Sequence, residues 1–275
     1  MRMDRRAGLL AAGLVVSAIL NDNDWSTISK VSDAGQGANF WSVGDRKAVT
    51  LNGTVGALTL SNYTAYAFIL GFNHNSGYEG NNRIHFQFAK TALTAGTDVC
   101  FIDSSYGSTG STAAFRMNTT NTNVGGWASS YMRDTICGTS VSSYSGTFIG
   151  VLPSELRSVL KSVTKYTDNT GDSSTAAANV TATTDYIFLL AAYEVFGSTS
   201  YVNSNEASKQ AQYAYYSAGN SKVKYGHSAT STAVTWWLRS PVRSNANNFV
   251  GSSAAGTLYS YRAYSSDGFA PGFCV

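Results

Sequence analysis

At 275 residues and 29.2 kDa the chain is long enough for one large domain or two small ones, and only 13% of it is charged. Its polarity comes from Gly, Ser, Thr, Asn and Tyr, which describes a loop-rich body with neutral hydrogen-bonding surfaces. The net charge is +3, basic clustering is confined to Arg2, Arg5 and Arg6, and no Lys/Arg run is interleaved with aromatics, so nucleic acid is excluded as an expected partner.

Met1 to Arg6 is charged and precedes an apolar run, Ala7 to Leu20, of signal-peptide length but short for a bilayer span. Three readings stand for it: an uncleaved arm that docks into another subunit, a helix packed in its own core, or membrane targeting. An apolar run of this kind is not expected to stay exposed. The chain is therefore divided into an N-terminal apolar arm, 1–23, and a body, 24–275. Asn21-Asp22-Asn23-Asp24 marks the break, and Ser26 is the expected cap of the turn that follows.

Within the body, Lys47 to Gly56 carries β-branched residues in approximate alternation around Asn52-Gly53, predicting a strand or hairpin with a tight turn or bulge there. Ala65 to Phe72 and Arg83 to Phe88 read as two further strands joined by a polar loop through Asn73, His74, Asn75, Gly77 and Gly80. Trp127, Met132 and Ile136 have rough helical spacing. Pro153 opens a clearer helix with Leu156, Val159, Leu160 and Val163 on one face. Glu206 to Tyr216 is a third helix, ending at Gly219. Short strands, a few helices and many loops describe an α+β domain rather than an alternating βαβ array.

Residues that could carry chemistry are sparse. His74, His85 and His227 have no i,i+4 partner, adjacent carboxylate or nearby cysteine, so core or surface positions are expected for them. Cys100, Cys137 and Cys274 have no metal-type spacing and are expected as buried free thiols. Asp168-Asn169-Thr170-Gly171-Asp172 gathers oxygens around a glycine but lacks the period of a calcium loop, and an Asx-rich turn is the expectation. Glu79, Glu155, Glu194 and Glu206 are scattered with no shared context. No catalytic residue, metal or cofactor is predicted.

The C-terminal stretch is the most informative. From Val242 to Val275 there is no Lys, Glu, Gln, Met or Trp. Arg243, Asn245, Asn247, Asn248, Tyr259, Tyr261, Arg262 and Tyr264 make a palette in which Tyr supplies rigid amphipathic area and Asn adaptable hydrogen bonds. Apolar blocks bracket it, Trp236-Trp237-Leu238 before and Phe269 to Val275 after, as strands holding a polar excursion would.

Trp237-Leu238-Arg239-Ser240-Pro241, a Gly near Gly256, and an ending with Gly268, Pro271 and Phe273 resemble a family, the DUF6273-type domain of unknown function. Its fold is C-type-lectin-like and related to formylglycine-generating enzymes. Gly126 to Arg133 is similar to that family's helix motif and Phe40 to Asp45 to its opening segment, so the resemblance spans roughly 24–275. This chain departs from the family ending, which commonly has Arg where Ala270 stands.

The resemblance implies a variable protein of a diversity-generating retroelement, as found in phages and gut bacteria, with a variable segment at 242–269. Adenine-directed rewriting of asparagine-type codons that keeps a terminal pyrimidine cannot produce Lys, Glu, Gln, Met or Trp, matching the missing types. On this reading Arg243, Asn245, Asn247, Asn248, Tyr259, Tyr261, Arg262 and Tyr264 contact the ligand, a host-surface protein or glycan. Trp236, Trp237, Leu238, Phe269, Pro271 and Phe273 are scaffold. The expected function is host attachment at a virion surface, with the arm contacting other virion subunits and the chain forming a homo-oligomer. A secreted or cell-surface bacterial adhesin is the alternative, and a formylglycine-generating-type oxidase the second.

Overall fold

The computed structural model describes residues 8–9, 13–169 and 174–275. Residues 1–7 and 10–12 of the expected arm, and Thr170, Gly171 and Asp172 of the acidic turn, therefore lie outside the described residues.

An antiparallel five-stranded sheet organises the chain, in the order Arg46–Val55, Leu58–Phe72, Ile84–Lys90, Gly272–Cys274 and Ile187–Phe188. Its centre is formed by joining the last residues of the chain to residues near position 85. Phe273 pairs with Phe86 and Cys274 with His85. Because successive side chains point to opposite faces, Ile84-His85-Phe86-Gln87-Phe88 sends aromatics one way and polar groups the other. All of these residues are buried, so both faces are covered.

The apolar face is closed by the helix Trp25–Asp33, whose Trp25 ring meets Phe86 and Phe273 edge-on at 5.5 and 5.9 Å. Trp25, Ile28 and Val31 recur at helical spacing and are buried. Asp24, not the expected Ser26, caps this helix: its carboxylate accepts from the Thr27 backbone N–H at 2.6 Å. Val16 and Leu20 are buried in the same core, and Lys47 Nζ donates to the carbonyl oxygens of Asn21 and Asn23 at 3.3 and 2.5 Å. One side of the described end of the arm is thus packed against the body, while Val15 and Ile19 of the same apolar run are exposed. Among the described residues, no helix is long and apolar enough to cross a membrane.

The architecture is α+β, mostly strands with short helices and many loops. The Lys47–Gly56 strand is found as Arg46–Val55, with the irregularity at Leu51–Gly53 and the reversal at Gly56, which takes φ +58°. Two expected helices are broken. Pro153 precedes only the turn Ser154–Arg157, and Val163 already starts the strand Val163–Asp168, which pairs with Val180–Asp185. Leu156, Leu160 and Val163 are buried as the spacing implies, but the chain has become extended by Val163. The Glu206–Tyr216 segment is two turns, Ser204–Ala207 and Ala214–Ser217. Between them the Tyr213 N–H donates to the Glu194 carbonyl, a tertiary bond in place of a helical one, and the Gln210 side chain donates to the Tyr166 carbonyl. Trp127, Met132 and Ile136 are buried, with Met132–Cys137 forming a π-helical turn.

Candidate binding surface

The three strands Trp236–Pro241, Asn248–Ser252 and Leu258–Arg262 form a separate antiparallel sheet. Every residue of the first strand is buried. Trp236 Nε1 donates to the Lys222 carbonyl and Trp237 Nε1 to the Phe115 carbonyl, both at 2.9 Å, which satisfies the polar edge of each buried indole. Gly268 runs alongside, its carbonyl accepting from the Trp237 N–H at 2.9 Å. A Cβ at Gly268 would lie 2.4 Å from Cys100 Sγ and 2.8 Å from the Thr235 carbonyl oxygen, so only glycine fits this close approach. Phe273 stacks on Phe86 with ring centroids 5.2 Å apart. The residues expected as scaffold, Trp236, Trp237, Leu238, Phe269, Pro271 and Phe273, are all buried.

The expected contact residues occupy the other two strands and their flanking turns, exposed or half-buried throughout. Register sets Trp237, Gly251 and Tyr259 in one row and Phe249 opposite Tyr261. Tyr259 and Tyr261 therefore share one face, while Asn248 and Arg262, paired directly, share the other. Tyr259 is 39% exposed, and its ring lies 5.7 Å from that of Tyr261, which in turn lies 6.4 Å from Trp237. Partial burial, with Asp267 nearby, raises the Tyr261 phenol above its usual range. Arg262 Nη1 donates to the Tyr264 hydroxyl at 3.3 Å. Arg243 is exposed, and its backbone N–H donates to the Tyr201 carbonyl at 2.9 Å.

The turn through Asn245 and Asn247 is braced locally and from outside. The Asn247 N–H donates to Asn245 Oδ1 at 2.6 Å, an Asx turn. Buried Asn123 reaches across with Nδ2 to the carbonyls of Asn245 and Asn248 at 2.7 and 2.8 Å. Nothing in the local sequence marks Asn123, because its partners lie 122 and 125 residues away.

A second constellation, fully buried, lies on the polar side of the central sheet. Arg239 Nη1 and Nη2 donate to Glu194 Oε2 and Oε1 at 2.7 and 2.8 Å, a bidentate pair, and Nη1 also reaches the Leu189 carbonyl at 2.8 Å. Lys165 Nζ contacts Glu79 Oε2 at 2.6 Å, Glu194 Oε1 at 3.1 Å and the Tyr213 hydroxyl at 3.0 Å. Glu206 accepts from the Asp168 N–H at 2.9 Å and from Ser240 Oγ.

The expectation that Glu79, Glu155, Glu194 and Glu206 share no context is corrected for the three buried ones. Glu79 and Glu194 share Lys165, and Glu206 binds the residue following Arg239. The expectation for histidine is corrected in two respects as well, a neighbouring carboxylate and, for His85, a nearby cysteine, Cys274 Sγ lying 3.3 Å from His85 Nδ1. His74 and His85 are core residues, yet each has a ring nitrogen 3.8 Å from Glu79. The contacts of Lys165 with Glu79 and Glu194 and of Arg239 with Glu194 span 86, 29 and 45 residues, so spacing does not reveal them, whereas His74, Glu79 and His85 are near neighbours in sequence.

Electrostatics follow from burial. Desolvation would raise Glu194, but Arg239 and then Lys165 hold it below the usual carboxylate range. Burial pushes Glu79 up to about 7 against the pull of Lys165, and Glu206 up to about 7 against its hydrogen bonds. Burial, helped by Lys165, lowers His74 to about 3 and keeps His85 neutral as well. His74, Glu79 and Glu194 place potential ligand atoms within 4.8 Å of one another. Lys165 and Arg239 already face those carboxylates, so the cluster is charge-balanced as an internal ion-pair network and offers little attraction to a further cation.

The fold and site define an α+β domain with a surface sheet held on a buried tryptophan strand and cross-braced by an ion-pair network. Residues 99–275 match the family model described as a domain of unknown function, DUF6273, and the chain belongs to that family. No curated protein and no solved structure matches it. The matched span contains the whole surface sheet, whereas Arg46–Val55, Leu58–Phe72 and Ile84–Lys90 of the central sheet lie ahead of it.

Proposed function

We propose that the chain is a non-catalytic ligand- or receptor-binding protein with a C-type-lectin-like scaffold. In this reading it is a phage virion component that attaches to a host surface through a diversified segment, 242–269. The N-terminal arm seats it among other virion subunits, with further copies of the chain alongside.

The observation that carries the reading is the division of labour among neighbouring residues. Trp237, Phe249 and Phe269 are fully buried, while Arg243, Asn247, Tyr259 and Arg262 between them are exposed. Such a surface can be rewritten: exposed substitutions shift stability by about 0.5 kcal/mol or less, against ~2–5 kcal/mol for large-to-small changes in a core. The palette of Tyr, Asn, Ser and Arg is that of adaptable contact surfaces. The missing Lys, Glu, Gln, Met and Trp fit codons confined to a terminal pyrimidine.

Against an oxidase of the formylglycine-generating type stand the thiols. All three cysteines are buried and free, and burial pushes Cys100 up to about 12 and Cys137 well above its ordinary value. A nucleophilic pair needs thiolate character and access.

Sequencing the gene and its surroundings from independent isolates tests the proposal. Codon changes concentrated at 242–269, beside a reverse-transcriptase gene and an adenine-rich near-copy, are the expected result. Evenly spread changes that alter Trp236, Trp237 or Phe273 as often as Tyr259 would overturn it.

A further inference from the structure

The surface sheet has two edges, and they are finished differently. On the inner edge, Trp236–Pro241, the Trp237 N–H donates to the Gly268 carbonyl and the Arg239 N–H to the Leu190 carbonyl, both at 2.9 Å. On the outer edge, Leu258–Arg262 pairs with Asn248–Ser252, and no strand pairs with its other side among the described residues.

Register decides which backbone groups of the outer strand face away. Opposed residues of an antiparallel pair alternate between those that exchange both hydrogen bonds and those that exchange none. At the two ends of this ladder the Ser253 N–H donates to the Thr257 carbonyl at 2.8 Å and the Ala263 N–H to the Asn247 carbonyl at 2.9 Å, so both are pairs of the bonded kind. The register between them is unbroken, and Tyr259 and Tyr261 therefore bond inward to Gly251 and Phe249. Leu258, Ser260 and Arg262 turn their N–H and C=O groups outward. The Arg262 carbonyl is taken by the Ser265 N–H at 3.0 Å. The N–H groups of Leu258, Ser260 and Arg262 and the carbonyls of Leu258 and Ser260 have no hydrogen-bond partner among the described residues, and all three residues are exposed or half-buried.

A row of unpaired donors and acceptors is a template for another strand, and folded proteins blunt such edges with Lys, Pro or a bulge. Leu258-Tyr259-Ser260-Tyr261-Arg262 has no Lys or Pro, and its pairing has no bulge. Resting on the display reading above, we infer that this edge takes up an extended segment of the protein partner as a fourth strand. The outward groups recur at every second residue, ~6.8 Å apart, which is the period of extended backbone. The five residues of the strand give a run of about 17 Å at ~3.4 Å each. Main-chain bonds hold the added segment, while the side chains at 259 and 261 on one face and at 258, 260 and 262 on the other read its sequence. The backbone groups stay in place whichever side chains stand at 259, 261 and 262. The grip therefore survives rewriting of those positions while the readout changes.

Amide hydrogen exchange of the full chain, followed residue by residue, tests this with a peptide of five alternating Thr and Val residues flanked by Lys. In dilute protein alone the Ser260 N–H is expected to exchange at least tenfold faster than those of Tyr259 and Tyr261. Saturating peptide should slow Leu258, Ser260 and Arg262 at least tenfold, and the same peptide N-methylated throughout should not. Ser260→Pro removes an outward N–H and no ladder bond. It should weaken the labelled peptide at least tenfold by fluorescence anisotropy with the melting temperature within a few degrees, whereas Ser260→Ala, which keeps that N–H, should bind within twofold of the parent. Slow exchange at Ser260 in dilute protein, no slowing by the peptide, equal binding of the N-methylated peptide, or retained binding in folded Ser260→Pro overturns the inference. Slowing that grows with protein concentration alone overturns it in favour of a second copy of the chain, and slowing by maltohexaose in favour of a glycan. If Ser260→Pro does not fold, the exchange of the parent with the two peptides decides. None of these outcomes decides the display reading, which is tested on the gene.

Discussion

Arg239 and Glu194 meet through two parallel hydrogen bonds, 2.7 and 2.8 Å long, with neither side chain exposed to solvent. The pair ties the buried tryptophan strand to the turn Ala192–Phe196, and through Lys165 to Glu79 in the connection between Leu58–Phe72 and Ile84–Lys90 of the central sheet. It is the joint between the surface sheet and the body.

Arg239→Met should destabilise the protein by about 3–5 kcal/mol, because Glu194 would then keep a buried charge without its guanidinium. Urea unfolding measures the loss. Arg239→Met combined with Glu194→Met should recover much of it, since the pair's stabilisation is largely offset by its desolvation cost.

Glu206 predicts a pH dependence with a definite sign. Its folded value is raised to about 7 from an ordinary 4.5, so the folded state holds a proton that the unfolded chain releases. Its contribution to stability is present below the unfolded value and lost as pH rises from 4.5 through about 7. Relative to Glu206→Gln, which cannot titrate, the parent should therefore lose on the order of 3 kcal/mol across that window. Unfolding free energies of both proteins at pH 4.5, 6 and 8 check it; a constant difference would contradict it.

Gly268→Ala tests the close approach beneath Trp237. The added methyl would press on Cys100 Sγ and the Thr235 carbonyl, so a loss of about 1–3 kcal/mol is expected, as for an overpacked core. Gly146→Ala meets nothing within 4 Å but sits at φ +76°, and should lose about 1 kcal/mol from backbone strain alone. Thermal melts of the two variants separate packing from strain.

The tyrosines should behave unequally. Tyr259→Ala removes an exposed ring and should leave stability within about 0.5 kcal/mol, whereas Tyr261→Ala also removes an aromatic contact with Trp237 worth ~0.5–1.5 kcal/mol. Equal, large losses for both would place Tyr259 in the core.

Local pattern was enough where structure is local or closed by apolar residues. The alternation in Lys47–Gly56 and Arg83–Phe88 and the apolar blocks around 242–269 correspond to observed strands and buried walls. Helical spacing misled at Val159–Val163 and across Glu206–Tyr216. There the periodic residues are partly or wholly buried, but distant partners such as Cys274 and Glu194 take the backbone hydrogen bonds. The polar face of the central sheet was illegible for a related reason. His85, Gln87, Glu79 and Lys165 look like surface residues until the fold covers them with Tyr213 and Tyr216. Asn123 braces the turn through Asn245 and Asn248 from 122 and 125 residues away, which no local pattern marks.

The central claim is that Arg243, Asn245, Asn247, Asn248, Tyr259, Tyr261, Arg262 and Tyr264 are replaceable contacts on a fixed scaffold. A surface-displayed library randomised at those positions alone, sorted first for folded protein and then for binding to unrelated target proteins, measures it directly. The account predicts that most members fold with melting temperatures within a few degrees of the parent and that specific binders emerge for several targets. Loss of folding in most members, or folded libraries that yield no binders, would contradict it.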